Sequence, residues 1–285
     1  MIVTLTLDIG AGADLGTFDL YSNSTGSFIK FSVDAITRQQ LLNGYTTSLV
    51  PDNTTIIRVT SIGNCKNSYD STVATIVLDV KYGYLYNWFT VDDARNIANT
   101  GWSVPTSDEF STLSIFLGDG NVSGGKLKET GVTYWNTPNS GATNEVGFNG
   151  KGAGFRSNIF NSVLELSFYY SQTLNSGRPV TYQLEYDTDN FSFTIQDGID
   201  YTGNSIRLKK DTTSLTNGQT GTYTGNDGKV YRTICIGTQE WLADNLVETL
   251  YRDLSAIPEV TDDATWAGLV TGARCSYDND ENNAI

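Results

Sequence analysis

The residue type that says most about chemistry in this chain is one that is missing. The 285 residues contain no histidine. A Ser-His-Asp or Cys-His nucleophile would therefore lack its base, and no metal site can use an imidazole ligand. Acid–base catalysis would have to come from carboxylates, tyrosines or lysines. Glu145, Glu165 and Glu185 carry no motif that marks a glycosidase pair. We therefore expect no enzymatic activity.

Oxygen ligands are concentrated near residue 280. Residues 278–282 read Asp-Asn-Asp-Glu-Asn, and calcium takes about six to eight oxygen ligands of this kind. The run lacks the glycine and the closing glutamate of an EF-hand, so a solvated acidic turn is the alternative. The candidate ligands are Asp278, Asp280 and Glu281, and calcium is the only cofactor that the sequence suggests.

Aromatic residues make up 12% of the chain, and those in loop-rich segments are candidates for ligand binding. A rigid ring beside Asn or Asp can stack on a sugar while its neighbours bond the hydroxyls. The candidates for such a surface are Tyr134, Trp135, Tyr169, Tyr170 and Tyr182. Four tryptophans are instead expected in the core, namely Trp88, Trp102, Trp241 and Trp266.

Two further features have plain structural explanations. Gly124-Gly125-Lys126 superficially suggests a phosphate loop, but no strand precedes it and no P-loop spacing follows. The three cysteines, Cys65, Cys235 and Cys275, are too few for a disulfide framework or a zinc cluster. We expect buried thiols, and the sequence leaves a Cys235–Cys275 disulfide open.

The charge balance excludes whole classes of partner. Eighteen basic against 32 acidic residues give a net charge of −14. Binding to nucleic acid or anionic lipid needs clustered Lys and Arg. No apolar run is long enough to span a membrane. Residues 1–10 show no basic segment followed by an apolar run, so we expect no secretory signal and synthesis in a cytoplasm.

The local patterns predict a mostly β, α+β protein. Alternating segments such as Phe18 to Tyr21 indicate a small antiparallel β-sandwich over residues 1–80. Thr106 and Glu109 form a capping-box pattern ahead of a helix that ends near Gly118. A second short helix is expected after Thr261. Residues 211–224 are polar and glycine-bearing, which is typical of a linker or a long surface loop.

Two parts of the chain each carry short motifs that resemble one family, the Fibrobacter succinogenes major paralogous domain. In the last part the motifs are Asp227-Gly228-Lys229-Val230-Tyr231, Ile236-Gly237-Thr238-Gln239-Glu240-Trp241, Asp244-Asn245-Leu246 and Tyr277-Asp278-Asn279-Asp280. Within 82–210 they are Tyr84-Leu85-Tyr86-Asn87-Trp88, Gly101-Trp102-Ser103-Val104-Pro105-Thr106, Gly124-Gly125-Lys126-Leu127-Lys128, Tyr134-Trp135-Asn136 and Ser205-Ile206-Arg207. The resemblance implies a C-type-lectin-like fold over 81–285, with two short helices beside a looped antiparallel sheet.

The two parts stand in reversed order. In the family, the segment like 224–285 precedes the segment like 82–210, so the resemblance implies a circularly permuted domain whose connector lies near 211–224. Permutation is tolerated where domain termini lie close together at the surface. The alternative is a domain swap, in which residues 224–285 complete a neighbouring copy.

Residues 1–80 are similar to small N-terminal modules of virion proteins from phages of Bacteroidetes, including crAss-like phages. The residues that carry this similarity are Gly16-Thr17-Phe18-Asp19-Leu20-Tyr21 and Val50-Pro51-Asp52-Asn53-Thr54-Thr55-Ile56. The similarity implies a head or tail fibre or decoration protein of the virion, docked to other virion proteins through 1–80.

These features lead to three functional hypotheses. The first is a non-enzymatic virion protein, acting as a homo-oligomer with a trimer as first choice, that displays a lectin-like domain for host-surface or glycan binding. The second is a purely structural capsid or tail decoration without a ligand. The third is a bacterial surface adhesin, which would need an export signal.

Overall fold

The computed structural model describes residues 80–196 and 201–285 continuously and, before residue 80, only the strands named below. The chain divides into two compact units. One comprises Met1–Asp79 with Gly228–Val230, and the other comprises Val80–Asp227 with Tyr231–Ile285. No helix in these described residues is long and apolar enough to cross a bilayer.

The smaller unit contains antiparallel β-structure. Its strands are β1 (Val3–Leu5), β2 (Thr17–Ser22), β3 (Ile29–Lys30), β4 (Ile36–Thr37), β5 (Tyr45–Thr47), β6 (Ile56–Ser61) and β7 (Ser68–Thr72). One sheet has the order β3-β2-β6-β7, with β4 also on β2, and β1 pairs with β5. The strand predicted at Phe18 to Tyr21 is confirmed within β2. The sandwich arrangement of this unit stays a prediction.

The larger unit is built on two five-stranded sheets. Its strands are β8 (Leu85–Tyr86), β9 (Trp102–Ser103), β10 (Ala153–Arg156), β11 (Phe160–Val163), β12 (Leu166–Asn175), β13 (Arg178–Glu185), β14 (Ser192–Ile195), β15 (Lys209–Lys210), β16 (Thr220–Thr224), β17 (Val230–Ile236), β18 (Gln239–Leu242) and β19 (Arg274–Cys275). The sheets have the orders β11-β10-β12-β13-β14 and β16-β17-β18-β15-β9, while β19 pairs with β8. Among the strand pairs of this unit whose register is described, β10 and β12 pair in parallel and the others are antiparallel. The mostly β prediction is therefore confirmed.

The helices described are short. They are α1 (Trp88–Val91), α2 (Ser107–Phe116), α3 (Ser123–Leu127) and α4 (Asp263–Ala267), with 3₁₀ turns at Tyr277–Asn279 and Glu281–Asn283. The capping box predicted at Thr106 and Glu109 is confirmed, because the Thr106 Oγ1 accepts from the Glu109 amide and the Glu109 carboxylate accepts from the Thr106 amide. Helix α4 is capped by Asp262, whose carboxylate accepts from the Thr265 amide.

The main core of the larger unit lies where α2 packs against the sheet that contains β12 and β13. Phe110 on α2 is fully buried and stacks on Tyr182 of β13, with ring centroids 4.6 Å apart. A second cluster surrounds Trp266 of α4 and the β8–β19 pair. The four tryptophans expected in the core are buried, as predicted.

The segment predicted as a connector is only partly loop. Residues 211–219 form a loop, whereas Thr220–Thr224 is strand β16 at an edge of its sheet. The loop is also held by side chains, because Thr213 Oγ1 donates to Glu240 Oε2 over 2.5 Å and Ser103 Oγ donates to Asp211 Oδ1 over 2.9 Å. The segment therefore belongs to the folded unit and does not act as a free linker.

Candidate functional site

Four of the five aromatic residues proposed for ligand binding are core residues. Trp135, Tyr169 and Tyr170 are fully buried and Tyr182 is 5% exposed. Polar atoms of Trp135, Tyr170 and Tyr182 serve internal bonds, and Trp135 Nε1 donates to Gly150 O over 2.8 Å. Similarly, Tyr170 Oη donates to Thr202 O over 2.6 Å. Their rings have no free face on which a sugar could stack, so the prediction of a recognition surface at these four residues is wrong.

The reason for this error is that strand β12 is covered on both faces. Tyr169 contacts Phe148, with ring centroids 5.9 Å apart, and Tyr170 contacts Trp88 at 5.5 Å. Neighbouring residues of a strand point to opposite faces. Two successive tyrosines can be buried together only when both faces are packed, and the sequence of the strand does not reveal that.

Tyr134 is the one candidate that stays half-buried. The Lys151 ammonium lies 4.5 Å from its ring centroid, and the Tyr82 ring meets it edge-on at 5.9 Å. Lys151 also donates to Val80 O over 2.6 Å. The cation already occupies one face of the Tyr134 ring, so at most the other face can meet a ligand.

The carboxylates proposed for calcium do not converge. Asp278, Asp280 and Glu281 are exposed, and two of them are engaged in internal hydrogen bonds. Asp280 Oδ1 accepts from the Asn282 amide over 3.0 Å, and Glu281 Oε2 accepts from Tyr84 Oη over 2.7 Å. Among the described residues, no group of three or more His, Cys, Asp or Glu side chains is placed to hold a metal ion. The described geometry therefore gives no support to a metal site at these residues, and calcium binding stays a prediction.

The two described cysteines are free and buried. Cys235 Sγ contacts the carbonyls of Leu215 and Gly237, and Cys275 lies in the core cluster around Trp266. Burial raises the pKa of the Cys275 thiol to about 12, which keeps it protonated and unreactive. The Cys235–Cys275 disulfide that the sequence left open is absent. Cys65 lies outside the described residues.

The Gly-Gly-Lys segment has a structural role. A Cβ on Gly124 would lie 2.0 Å from Asn190 O, and one on Gly125 would lie 2.3 Å from Gly141 O. These glycines therefore let α3 touch neighbouring backbone directly. Lys128, which follows α3 and is fully buried, donates to Glu185 O over 2.8 Å and to Thr188 O over 2.7 Å. Burial lowers the pKa of Lys128 to about 8.

A buried arginine links four separate segments of the larger unit. Arg207 is fully buried, and its guanidinium donates to Asn245 Oδ1 over 2.7 Å and to Leu242 O over 3.0 Å. It also donates to the Phe148 carbonyl and lies 4.1 Å from that ring centroid. Asn245 Nδ2 in turn donates to Tyr82 O over 2.8 Å. We call this group the Arg207–Asn245 clamp.

The clamp was missed as a unit by sequence reasoning. Both Ser205-Ile206-Arg207 and Asp244-Asn245-Leu246 stood out as motifs, but nothing in the sequence indicated that they meet. The backbone of the two motifs pairs as well, since the Leu246 amide donates to Ile206 O over 3.0 Å. The signal that could have revealed the clamp is the presence of Arg207 and Asn245 beside apolar residues, because a polar side chain is normally buried only when it is paired.

A buried glutamate fixes a turn in the same unit. Glu248 is fully buried, and its carboxylate accepts from the amides of Asn226, Asp227, Thr249 and Leu250 over 2.6–3.1 Å. Asp227 Oδ2 accepts from the Thr249 amide over 3.1 Å. Burial, and then the Asp227 charge, raise the pKa of Glu248 to about 8. We call this group the Glu248 turn.

Residues 281–284 lie directly against residues 81–84. The amides of Lys81 and Gly83 donate to Ala284 O over 3.1 and 3.2 Å, and the Tyr82 amide donates to Asn283 O over 3.0 Å. Lys81 Nζ adds a bond to Asn283 Oδ1 over 2.7 Å. Ala284 is fully buried.

Comparisons with known proteins agree with part of the resemblance. The family model described as the Fibrobacter succinogenes major domain matches residues 40–176. This match supports the similarity seen between 82 and 176, and it also extends into the segment before residue 80. The similarity proposed for 177–210 and 224–285 lies outside it. No curated protein matches the chain, and neither does any solved structure.

Proposed function

We propose that this chain is a non-enzymatic structural protein of a bacteriophage particle, with the larger unit as a rigid display scaffold. The observation that carries the scaffold role is that buried ionisable side chains bind the backbone of neighbouring loops. Arg207, Lys128 and Glu248 are fully buried, and each binds backbone carbonyls or amides of separate loops. Catalytic groups need a polar atom directed at a substrate, whereas these groups hold loops in place.

The virion assignment draws its support from the similarity of residues 1–80 to phage virion modules. The acidic net charge of −14 fits a particle decoration, because it favours solubility and disfavours adhesion to nucleic acid. In this proposal residues 1–80 bind other virion proteins, and the larger unit faces outward.

Antibodies against the full chain, applied to purified phage particles and to uninfected host cells, test this assignment by immunogold electron microscopy. Labelling at a regular position on particles is the expected result. Labelling of the surface of uninfected bacteria would favour an adhesin. The virion role would be overturned if purified particles carried no label and mass spectrometry detected no copy of the chain in them.

The larger unit is proposed to be a circularly permuted relative of the Fibrobacter succinogenes major domain, with a lectin-like fold. The proposal is supported by the backbone bonds between residues 281–284 and 81–84, because the family order would join the chain at that point. A rearranged chain in which residues 220–285 precede residues 81–219 should keep the circular-dichroism spectrum and thermal midpoint of residues 81–285 in their natural order. A chain opened within β13 is the matched control and should not fold.

A purely structural decoration without a ligand is the second candidate, and the burial of Trp135, Tyr169, Tyr170 and Tyr182 favours it. A glycan array distinguishes the two roles. If the unit binds sugars through its remaining half-exposed candidate, Tyr134→Ala should abolish the signal while Phe116→Ala, at another exposed ring, should not. Silence of the wild-type chain across host capsule and gut glycans would support the ligand-free role.

A further inference from the structure

Strand β14 lies at the edge of its sheet, and its own four residues carry none of the sequence features that normally prevent edge strands from pairing. On one side it pairs with β13, and no other described strand pairs with its second side. Its sequence is Ser-Phe-Thr-Ile, without charge, proline or glycine. Soluble proteins usually protect such edges with lysine, proline, a bulge or a covering element.

The outer side of this strand carries exposed apolar surface. Phe193 is 61% exposed and lies opposite Tyr182 on the face that α2 covers. On α2, Ser111 contacts Tyr182 Oη over 3.1 Å, and Ile115 follows one turn later with 73% of its surface exposed. Phe193 and Ile115 therefore flank the same face of the sheet edge.

The hydrogen-bond pattern shows which backbone groups of β14 point outward. The Gln196 amide donates to Pro179 O over 2.9 Å, and β14 runs antiparallel to β13 with Thr194 opposite Thr181. Alternate residues of an edge strand direct their amides and carbonyls away from the partner. Ser192 and Thr194 thus face β13, and Phe193 and Ile195 face outward.

We propose that β14 is a homodimer contact, at which β14 of a second copy pairs antiparallel about a two-fold axis through Thr194. The argument for a second copy is that the strand is self-complementary in this register. Phe193 of one copy faces Ile195 of the other on one side of the sheet, which makes an apolar cross-strand pair. Thr194 faces Thr194, and Ser192 faces Gln196. No like charges meet, and the outward amides and carbonyls of Phe193 and Ile195 are satisfied.

This contact is isologous, since the same patch is used on both copies. It would join two five-stranded sheets into one continuous sheet with α2 of each copy on the same face. The proposal does not depend on the virion role. It predicts two-fold symmetry at this contact in place of the trimer expected from the sequence.

Cysteine cross-linking tests the register directly. In the proposed dimer Thr194 lies on the axis in a non-hydrogen-bonded pair, whose Cα atoms are about 4.5 Å apart, within reach of a disulfide. Thr194→Cys in the full chain should form a disulfide dimer under mild oxidation. Ser192→Cys is the matched control, because it faces Gln196 and should stay monomeric on a non-reducing gel. Equal cross-linking of both variants, or of neither, would overturn the register.

Analytical ultracentrifugation tests the contact without cysteines. The wild-type chain should sediment as a dimer at micromolar concentration, and Phe193→Lys should weaken dimerisation by at least about tenfold, since an edge lysine opposes pairing. Phe116→Lys places the same charge at another exposed ring and should leave the dimer intact. Thermal melts of both variants should match wild type within a few degrees. A wild-type monomer or trimer, or equal effects of the two lysines, would overturn the proposal.

Discussion

The Arg207–Asn245 clamp and the Glu248 turn both use a buried ionisable side chain to fix backbone, one a basic residue and the other an acidic one. Each places a fully buried ionisable side chain among backbone dipoles, the arginine on carbonyls and the glutamate on amides. They differ in their neighbours. The arginine carries a neutral amide partner, Asn245, whereas the glutamate lies beside a second carboxylate, Asp227.

This difference separates a permanent structural contact from a titrating one. Arginine stays charged in proteins, so the clamp holds over the whole pH range in which the chain folds. Glu248 must share its surroundings with Asp227, and two close carboxylates cannot both ionise at low cost. The titratable groups that interact electrostatically with Glu248 include Asp227, Tyr86, Tyr231 and Tyr223.

The largest expected effect is at the clamp. Asn245→Ala should lower the free energy of unfolding by about 3–5 kcal/mol, because it leaves a buried arginine without its main acceptor. Urea unfolding followed by tryptophan fluorescence measures this change. The paired variant Arg207→Met with Asn245→Ala should recover part of the loss, since it removes the uncompensated charge. A loss below that of an ordinary surface variant would show that the clamp is dispensable.

The second effect is a pH dependence of the free energy of unfolding, which arises at Glu248 and is not expected from the Arg207–Asn245 clamp. The pKa of Glu248 is raised in the folded state to about 8 from its ordinary value of 4.5. Folded protein therefore binds more protons than unfolded protein between these values. The stabilisation is complete below pH 4.5 and is lost as pH rises through about 8.

The variant Asp227→Asn tests whether Glu248 causes this pH dependence. The substitution removes the neighbouring charge while keeping an oxygen that can accept from Thr249. The free energy of unfolding, measured by urea titration from pH 5 to pH 9, should then fall less steeply than in wild type. Asp278→Asn, an exposed change of the same kind, should leave the slope unchanged. Equal slopes in all three proteins would contradict the assignment to Glu248.

A smaller effect is expected where residues 281–284 meet residues 81–84. Glu281→Gln weakens the bonds from Tyr84 and Ser276 and should cost about 1 kcal/mol. Amide hydrogen exchange of Gly83 and Ala284 should accelerate with it, because local opening at this junction becomes easier. An unchanged exchange rate would mean that the backbone bonds alone hold the junction.

The smallest effect lies in helix α2, whose stability is set locally. Thr106→Ala removes the cap and should cost about 1 kcal/mol, with no change in the pH slope. Thr112→Ala, on the exposed side of the same helix, should be close to neutral. Chemical denaturation of the two variants measures the difference, and equal losses would show that the cap contributes nothing.

Sequence reasoning succeeded where the signal is local. The start of α2 follows from Thr106 and Glu109, which are three residues apart and satisfy each other's backbone. Strand β2 follows from its alternating pattern. It failed for Tyr169 and Tyr170, because their burial depends on Phe148 and Trp88, which belong to other segments of the chain.

The sequence by itself determined the mostly β character, the capped helix, the absence of histidine chemistry and the similarity over residues 82–176. Only the tertiary structure decided which aromatic rings are buried, that Arg207 meets Asn245, and that residues 281–284 lie on residues 81–84. Propensities and caps act over a few residues, whereas burial and the pairing of charge depend on contacts between separate segments, such as those of Arg207 and Asn245, which are 38 residues apart. The composition of one segment therefore does not reveal its partner.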